Sequence, residues 1–269
     1  MIYADLHLHT IYSDGTSLPK QIVVDCATIG LNMIAITDHD ITKGYREAKE
    51  EAQKWGLRVL TGVEISTTKY HILGYDFDIE NKILQELLEY SRMCQEDTTR
   101  KRVEKLIATG IPITFEKVRG YFPESRLGKL NIFMTLLKDK ECREYHNNRD
   151  PEELLKLYLK KGGLAYEVED KKEVETIEAI QAIHAAGGVA IVAHPFKEAK
   201  NIEKLEKLVR KGIDGLEVQP SFGKRNNTFK EYAEKKGMIV TYGSDYHGPR
   251  MLERPLLRRA ENVVDKFWR

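Results

Sequence analysis

Short apolar runs alternate with longer amphipathic ones along the chain. "MIYADLHLH" (1–9) alternates apolar and polar residues, which predicts a strand. In "LPKQIVVDCATIG" Pro19 is placed to start a helix and Gly30 to end it. "LNMIAITDHD" is a compact apolar run closing in polar residues, the pattern of a buried strand. "YREAKEEAQKWG" reads as a helix stopped at Gly56, and "LRVLTGVEIST" and "KYHILGYDFD" as two further strands. Strands and helices alternating this closely predict a parallel sheet wrapped by helices.

The rhythm breaks after about residue 80. "NKILQELLEYSRMCQEDTTRKRVEKLIATG" predicts one long or two shorter charged helices, and "PEELLKLYLKKGG" another. No strand of convincing length falls between residues 82 and 162. The alternation then resumes through "IEAIQAIHAAGG", "VAIVAHP", "NIEKLEKLVRKG", "IDGLEVQPS", "FKEYAEKKG" and "MIVTYGSDYHG". The expected organisation is a first α/β half at 1–80, a mostly helical insertion at 81–176 and a second half at 177–269.

Composition narrows the classes. A chain of 269 residues suits one α/β barrel carrying an insertion as well as two smaller domains. Forty-three basic residues against 42 acidic ones leave a net charge of +1, which makes no case for a bulk polyanion binder. No run of eighteen apolar residues exists, so no membrane helix is expected, and no basic stretch leading into an apolar one suggests a signal peptide. Cys26, Cys94 and Cys142 are scattered without metal-like spacing, as expected of thiols in a reducing cytoplasm.

The candidate chemistry sits where strands end. His7 and His9 lie two apart on a strand and point the same way, and Asp5 shares their parity. Asp38 and His39 close "ITDHD", Glu64 closes "LTGVE", His71 opens "HILGY", His194 closes "AIVAH", and Asp245 and His247 close "GSDYH". Of the eight histidines only His146 and His184 fall elsewhere. In α/β folds the carboxyl ends of strands form the face that carries chemistry. Each fragment has a bland reading. H-x-H is an ordinary strand pair, "TDHD" a helix cap, Glu64 a salt bridge, His71 a hydrogen-bonded half-buried histidine, and "AHP" a junction set by Pro195. Their coincidence at separate strand ends favours a metal centre. Imidazoles and carboxylates without cysteine suit Zn²⁺, Mn²⁺ or Fe²⁺ and argue against a structural zinc. With Asp14 the candidate ligands exceed the need of one tetrahedral ion, and two or three divalent ions fit if a carboxylate bridges. Such ions lower the pKa of bound water and neutralise phosphoryl oxygens.

In order, "DLHLHTIYSDG", "ITDHD", "GVEIS", "HILGY", "VAHP" and "GSDYH" resemble the motifs of the PHP (polymerase and histidinol phosphatase) superfamily. The match is nearest the TrpH-like branch of stand-alone phosphoesterases that act on nucleotides, and covers roughly 2–80 and 177–250. "DPEELLKLYLKKGGLAYE" is similar to the segment before the second half in that branch. The resemblance implies a distorted (β/α)7 TIM-like barrel with a trinuclear site. The first ion would take His7, His9, Glu64 and Asp245; the second Asp14, His39 and His247; the third Glu64, His71 and His194, with Glu64 bridging. Asp5 and Asp38 would orient imidazoles through their far N–H, with a cap or turn role as the alternative.

The implied reaction is hydrolysis of a small phosphorylated substrate by a metal-bound hydroxide. That substrate would be a nucleoside 3′,5′-bisphosphate or the 5′ end of a short oligonucleotide. Asp245 or His247 would manage the proton. Phosphate would be held by Arg126 and Lys129 in "SRLGKLNI" and by Lys197 after "HPF", each otherwise a solvated surface charge. These segments depart from the branch, where an arginine often follows His-Pro and the insertion carries an "RPH"-like run. The insertion would act as a lid that selects small substrates. In it Tyr121 and Phe122 would stack on a base or join a core, and Phe267 and Trp268 would dock the C-terminal tail on the barrel or form a partner contact, docking being favoured. Histidinol phosphatase, a polymerase-associated module and a non-catalytic metal binder are the rival readings. No ligand is missing from the motifs, against the last.

Overall fold

A computed structural model describes residues 3–147, 149–168, 173–198, 202–218 and 224–248, without the side chains of 197, 198 and 224–226. Two units are distinguished, one within 1–91 and 174–269, the other Arg92–Glu173.

The first unit holds two sheets. Strands β1 (Ala4–Leu8), β2 (Met33–Ile36) and β3 (Arg58–Leu60) lie parallel in that order. The second sheet runs β4 (Gly62–Ser66), β5 (His71–Tyr75), β6 (Val189–Val192), β7 (Gly215–Val218) and β8 (Ile239–Tyr242). Here β6, β7 and β8 are parallel, but β5 is antiparallel to both β4 and β6.

This corrects two expectations. The sheet is not uniformly parallel, because only Thr67–Tyr70 separate β4 from β5, and a parallel crossover needs about a dozen residues. Nor do the ladders close into a (β/α)7 barrel. The two sheets meet through isolated bridges, Leu8 to Tyr246 and His39 to Glu64. The single strand expected over "LRVLTGVEIST" is divided at Thr61 between the sheets. Gly62 permits the switch, since a Cβ there would lie 2.6 Å from the Ile36 carbonyl oxygen.

Strands β1, β2, β4 and β7 are buried along their whole length; β2 runs wholly apolar, while β1, β4 and β7 carry the buried polar residues Asp5, His7, Glu64 and Glu217. Between the sheets Leu6, Leu60, Leu73, Tyr75 and Ile191 pack together, and the Tyr75 hydroxyl donates to the Leu6 carbonyl at 2.6 Å. Helices α1 (Pro19–Thr28) and α2 (Lys43–Ala52) cover the first sheet with Ile22, Val23, Ala48 and Ala52. Pro19 opens α1 as expected, and Gly56, at φ 63°, ends the turn after α2. The long helix α3 (Lys82–Ile107) starts in this unit, where Leu84 and Leu88 join Ile65, Ile72 and Ile183.

The second unit is helical. Beyond α3 it comprises α4 (Phe115–Tyr121), α5 (Lys129–Lys138), α6 (Lys140–Tyr145) and α7 (Pro151–Tyr158) around Val103, Leu106, Ile113, Val118, Ile132 and Leu136. Thr114, Asp139 and Asp150 cap three of these helices by accepting from backbone N–H groups. His146 is a satisfied core histidine, with Nδ1 2.6 Å from the Cys142 carbonyl and Nε2 3.0 Å from the Tyr158 hydroxyl. Phe122 packs on this core, while Tyr121 is exposed.

The chain then returns through α8 (Thr176–Ala185), α9 (Pro195–Glu198), α10 (Ile202–Val209) and α11 (Lys224–Lys235). No helix among the described residues is long and apolar enough to cross a membrane.

Candidate metal centre

Strand β1 places His7 and His9 side by side, both fully buried, with their Nε2 atoms 3.0 Å apart. Past β1 the chain turns sharply. Asp38, following β2, accepts from Thr10 N at 2.7 Å, Thr10 Oγ1 at 2.6 Å and Ser13 Oγ at 2.6 Å. Those bonds fold the loop back and deliver Asp14. Its Oδ1 lies 3.3 Å from His247 Nε2 and 3.6 Å from His9 Nδ1, and its Oδ2 lies 3.7 Å from His39 Nε2.

Glu64 sits at the middle. Its Oε2 lies 3.2 Å from His7 Nε2, 3.2 Å from His9 Nε2 and 3.3 Å from His39 Nδ1. Its Oε1 lies 3.0 Å from both His71 Nδ1 and His194 Nε2. Asp245 Oδ1 completes the group at 3.6 Å from His7 Nε2 and 3.5 Å from His9 Nε2. All nine candidate ligands therefore converge. Three sets have donor atoms within 4.8 Å of one another: His9, Asp14, His39 and His247; His7, His9 and Asp245; and His39, Glu64 and His71. His9 and His39 are each shared between two of these sets, which their positions in the sequence did not indicate.

The backbone is strained here. His194 and Asp245 adopt φ values of 27° and 58°. Left-handed non-glycine residues persist only where their surroundings hold them. Asp245 N donates to the His7 carbonyl at 3.0 Å, and His194 N donates to Glu217 Oε2 at 2.7 Å.

Glu217 escaped the sequence reading. It is buried in β7, and the His7 Nδ1–H donates to its Oε1 at 2.7 Å. The signal available was an acid inside the apolar run "IDGLEV", as with Glu64 in "LTGVE". Asp5 Oδ1 accepts from His7 N at 3.3 Å and Ser244 N at 2.9 Å, tying β1 to the loop before Asp245. Asp38 also accepts from Ser13 Oγ at 2.6 Å, and that oxygen lies 3.5 Å from His9 Nδ1.

Space is as tight as bonding. A Cβ on Gly243 would lie 2.2 Å from His7 Cβ and 2.5 Å from Glu217 Oε1. Gly243→Ala is expected to cost about 3 kcal/mol, the upper part of the overpacking range, measured by urea unfolding of the metal-free protein. An unchanged midpoint would mean that this contact is not formed.

Charge explains why such a cluster is stable in a buried place. Burial opposes the His7 imidazolium, but Glu217, Glu64 and Asp245 outweigh it and hold its pKa well above the usual value. For His9, burial is again outweighed, by Asp245 and Glu64 hydrogen bonds and by the charge of Asp14, and the pKa rises to about 10. Despite burial, His247 and His39 keep Asp14 well below the carboxylate range, and His39, His7 and His71 do the same for Glu64. Without ions, the surrounding carboxylates offset the burial of the His7 and His9 imidazolium forms. The Nε2 atoms of His7 and His9, 3.0 Å apart, and the thiol-free donor set fit divalent Mn, Zn or Fe.

Of the expected phosphate contacts, Arg126 and Lys129 belong to the second unit. Lys129 Nζ lies 4.3 Å from the centre of the Tyr166 ring. Burial and repulsion from Arg126 push the nearby Arg102 down to about 10. The side chain of Lys197, and Phe267 and Trp268, lie outside the described residues.

The family model for the PHP domain matches residues 5–221. The chain belongs to the PHP domain family. This PHP protein is 27% identical over 259 residues to a 3′,5′-nucleoside bisphosphate phosphatase of Chromobacterium violaceum, covering 93% of this chain and 88% of that one. It is 33% identical over 120 residues to a 5′-3′ exoribonuclease of Haemophilus influenzae, covering 43% of this chain and 44% of the relative, less than half of either. Its fold matches that of an amidohydrolase from Chromobacterium violaceum, solved with bound sulfate and no metal. The TM-score is 0.80 at 27% identity, over 92% of this chain and 88% of that one. The named relatives are hydrolases, and so is this PHP protein.

Proposed function

We propose that this PHP protein hydrolyses phosphomonoesters of nucleotides, nucleoside 3′,5′-bisphosphates or the 5′ ends of short oligonucleotides, at a centre of two or three divalent ions. The observation that carries the reading is Glu64, whose two oxygens lie 3.0–3.3 Å from five imidazoles in a buried, cysteine-free cluster. His7, His9, Glu64 and Asp245 would hold one ion, Asp14, His39 and His247 a second, and Glu64, His71 and His194 a third. When bound, such ions lower the pKa of a coordinated water and neutralise phosphoryl oxygens. The bisphosphate phosphatase aligned over most of the chain supports the substrate class, and the sulfate in the structural relative is an oxyanion of phosphate shape.

The chain's own groups supply the rest. Glu64 holds five imidazoles around one point. Asp14, His71 and His247 are the more exposed members and mark the side from which substrate enters. His247 Nδ1 lies 2.8 Å from the Asp245 carbonyl oxygen, and either Asp245 or His247 would manage the proton of the leaving alkoxide. Arg126 and Lys129, both in the second unit, are retained as candidate phosphate contacts on sequence alone. Lys197 is retained as a candidate on sequence alone. Three buried free cysteines accord with a cytoplasmic setting.

Phosphate release with added Mn²⁺ tests the reading. The substrates are adenosine 3′,5′-bisphosphate, a short 5′-phosphorylated RNA, histidinol phosphate and an aryl phosphate. The expected outcome is turnover of a nucleotide substrate that the His7→Ala, His9→Ala double variant lacks. Release from histidinol phosphate alone would transfer the assignment to a histidinol phosphatase. No release from any substrate by metal-loaded protein would reject it.

A further inference from the structure

We propose that Glu217 is a positioning residue that fixes the His7 ring and the His194 backbone together, and so sets the affinity of the ions those two histidines hold. The proposal rests on the metal-centre reading above and names a group that lies outside the ligand set.

Glu217 lies on β7, paired in register with Thr241 of β8, and is 1% exposed. Its two oxygens have separate tasks. Oε1 accepts from His7 Nδ1 at 2.7 Å, and Oε2 accepts from His194 N at 2.7 Å. A Glu217 oxygen that accepts at this position keeps a proton on His7 Nδ1, so the neutral ring that an ion requires carries its proton there. Its Nε2 is then left with the lone pair, at 3.2 Å from Glu64 Oε2 and 3.6 Å from Asp245 Oδ1, where a ligand atom is needed. The other tautomer would put a hydrogen there and remove His7 from the donor set.

The second bond acts on geometry. His194 has φ 27°, an unfavourable conformation, and the N–H to Oε2 bond holds it there. With that backbone fixed, His194 Nε2 reaches Glu64 Oε1 at 3.0 Å, and its ring stacks on His7 with centroids 5.8 Å apart and planes at 23°. Glu64 on the inner side and Glu217 on the outer side thus clamp the same two histidines. The close fit of Gly243, where a Cβ would stand 2.5 Å from Glu217 Oε1, leaves room for this carboxylate and nothing bulkier. Asp14, His39 and His247 are held differently, by one another, His9 and Glu64.

The test is Glu217→Gln. The amide keeps the volume, and its oxygen can still accept from His194 N. Its NH₂ then faces His7 Nδ1 and requires an acceptor there, which drives the His7 proton to Nε2. Mn²⁺ titration followed by the EPR signal of the free ion counts the binding classes and their affinities, and thermal unfolding of metal-free protein reports the fold. A His247→Ala variant, titrated alongside, marks the class that Glu217→Gln must leave alone. The expected result is a 10–100-fold loss of affinity for the ions held by His7 and His194. The remaining class stays near wild type, while the metal-free unfolding midpoint falls, because the buried His7 ring loses a charged partner. Unchanged affinity in every class overturns the proposal. So does an equal loss in all classes with a matching fall in midpoint, which marks a purely structural residue. Should Glu217→Gln not fold, Glu217→Asp, too short to reach both partners, is read by the same criteria. Failure of the wild-type protein itself to bind Mn²⁺ would overturn the metal centre, a separate outcome from a Glu217 variant that binds as wild type does.

Discussion

Replacing Glu64 by glutamine is expected to lower kcat/KM for a nucleotide phosphomonoester by about a thousandfold and to empty more than one metal position. Among the described residues no other side chain meets so many of the candidate ligands. Its oxygens reach His7, His9, His39, His71 and His194, all within 3.3 Å. The amide brings two changes. It removes the negative charge that draws cations into a buried place, and it turns an NH₂ toward imidazole nitrogens that must present lone pairs to an ion. The metal-free variant is affected as well, because removing one partner of a buried ion pair leaves the other uncompensated, at a cost of about 3–5 kcal/mol. Metal content after dialysis, read beside turnover in Mn²⁺, checks both parts. A Glu64→Gln protein with a full metal complement and near wild-type turnover would remove Glu64 from the centre of the site.

The stability of the metal-free protein is expected to fall as pH rises, while stabilisation by metal grows. His9 has a folded pKa of about 10 against 6.5 for the free side chain. A raised histidine contributes stability that is fully present below 6.5 and is lost as pH climbs through 10. Asp14 and Glu64 behave oppositely. Their lowered values contribute stability present above 3.8 and 4.5, lost as pH falls through the depressed folded values. The metal-free cluster is therefore most stabilising between 4.5 and 6.5. From pH 6.5 to about 9, His9 alone accounts for a loss of about 3 kcal/mol, roughly 5–10 °C in Tm. Divalent ions compete with the same protons, so their affinity rises over that range. Thermal unfolding from pH 5 to 10, with chelator or with saturating Mn²⁺, should give two curves that diverge with pH. Parallel curves, or a metal-free Tm that climbs above pH 7, would refute the pairing of the His9 imidazolium with Asp14, Glu64 and Asp245.

How far the sequence reached can be judged residue by residue. The order of strands and helices was legible because each element's period and punctuation are local, as with Pro19 and Gly30 around α1. The candidate ligands could be picked out of the sequence because their types are chemically distinctive and most of them stand at the ends of apolar runs. The helical stretch between the two α/β halves was legible from the loss of the strand period, although α3 begins within the first unit's core. The four-residue gap Thr67–Tyr70 carried the antiparallel pairing of β4 and β5, and it was passed over in favour of the parallel rhythm around it.

What only the tertiary structure decided are relations between residues far apart in the chain. The division of "LRVLTGVEIST" between two sheets depends on Gly62 meeting the Ile36 carbonyl, a contact absent from any local pattern. The sharing of His39 between Asp14 and Glu64 depends on three separate strand ends converging. The partner of His7 is Glu217, 210 residues away. Residue type and spacing state which side chains are able to bind a metal. Which nitrogen carries the proton, and which carboxylate holds it there, is decided by hydrogen bonds that exist only after β1 and β7 have been brought together in the folded chain.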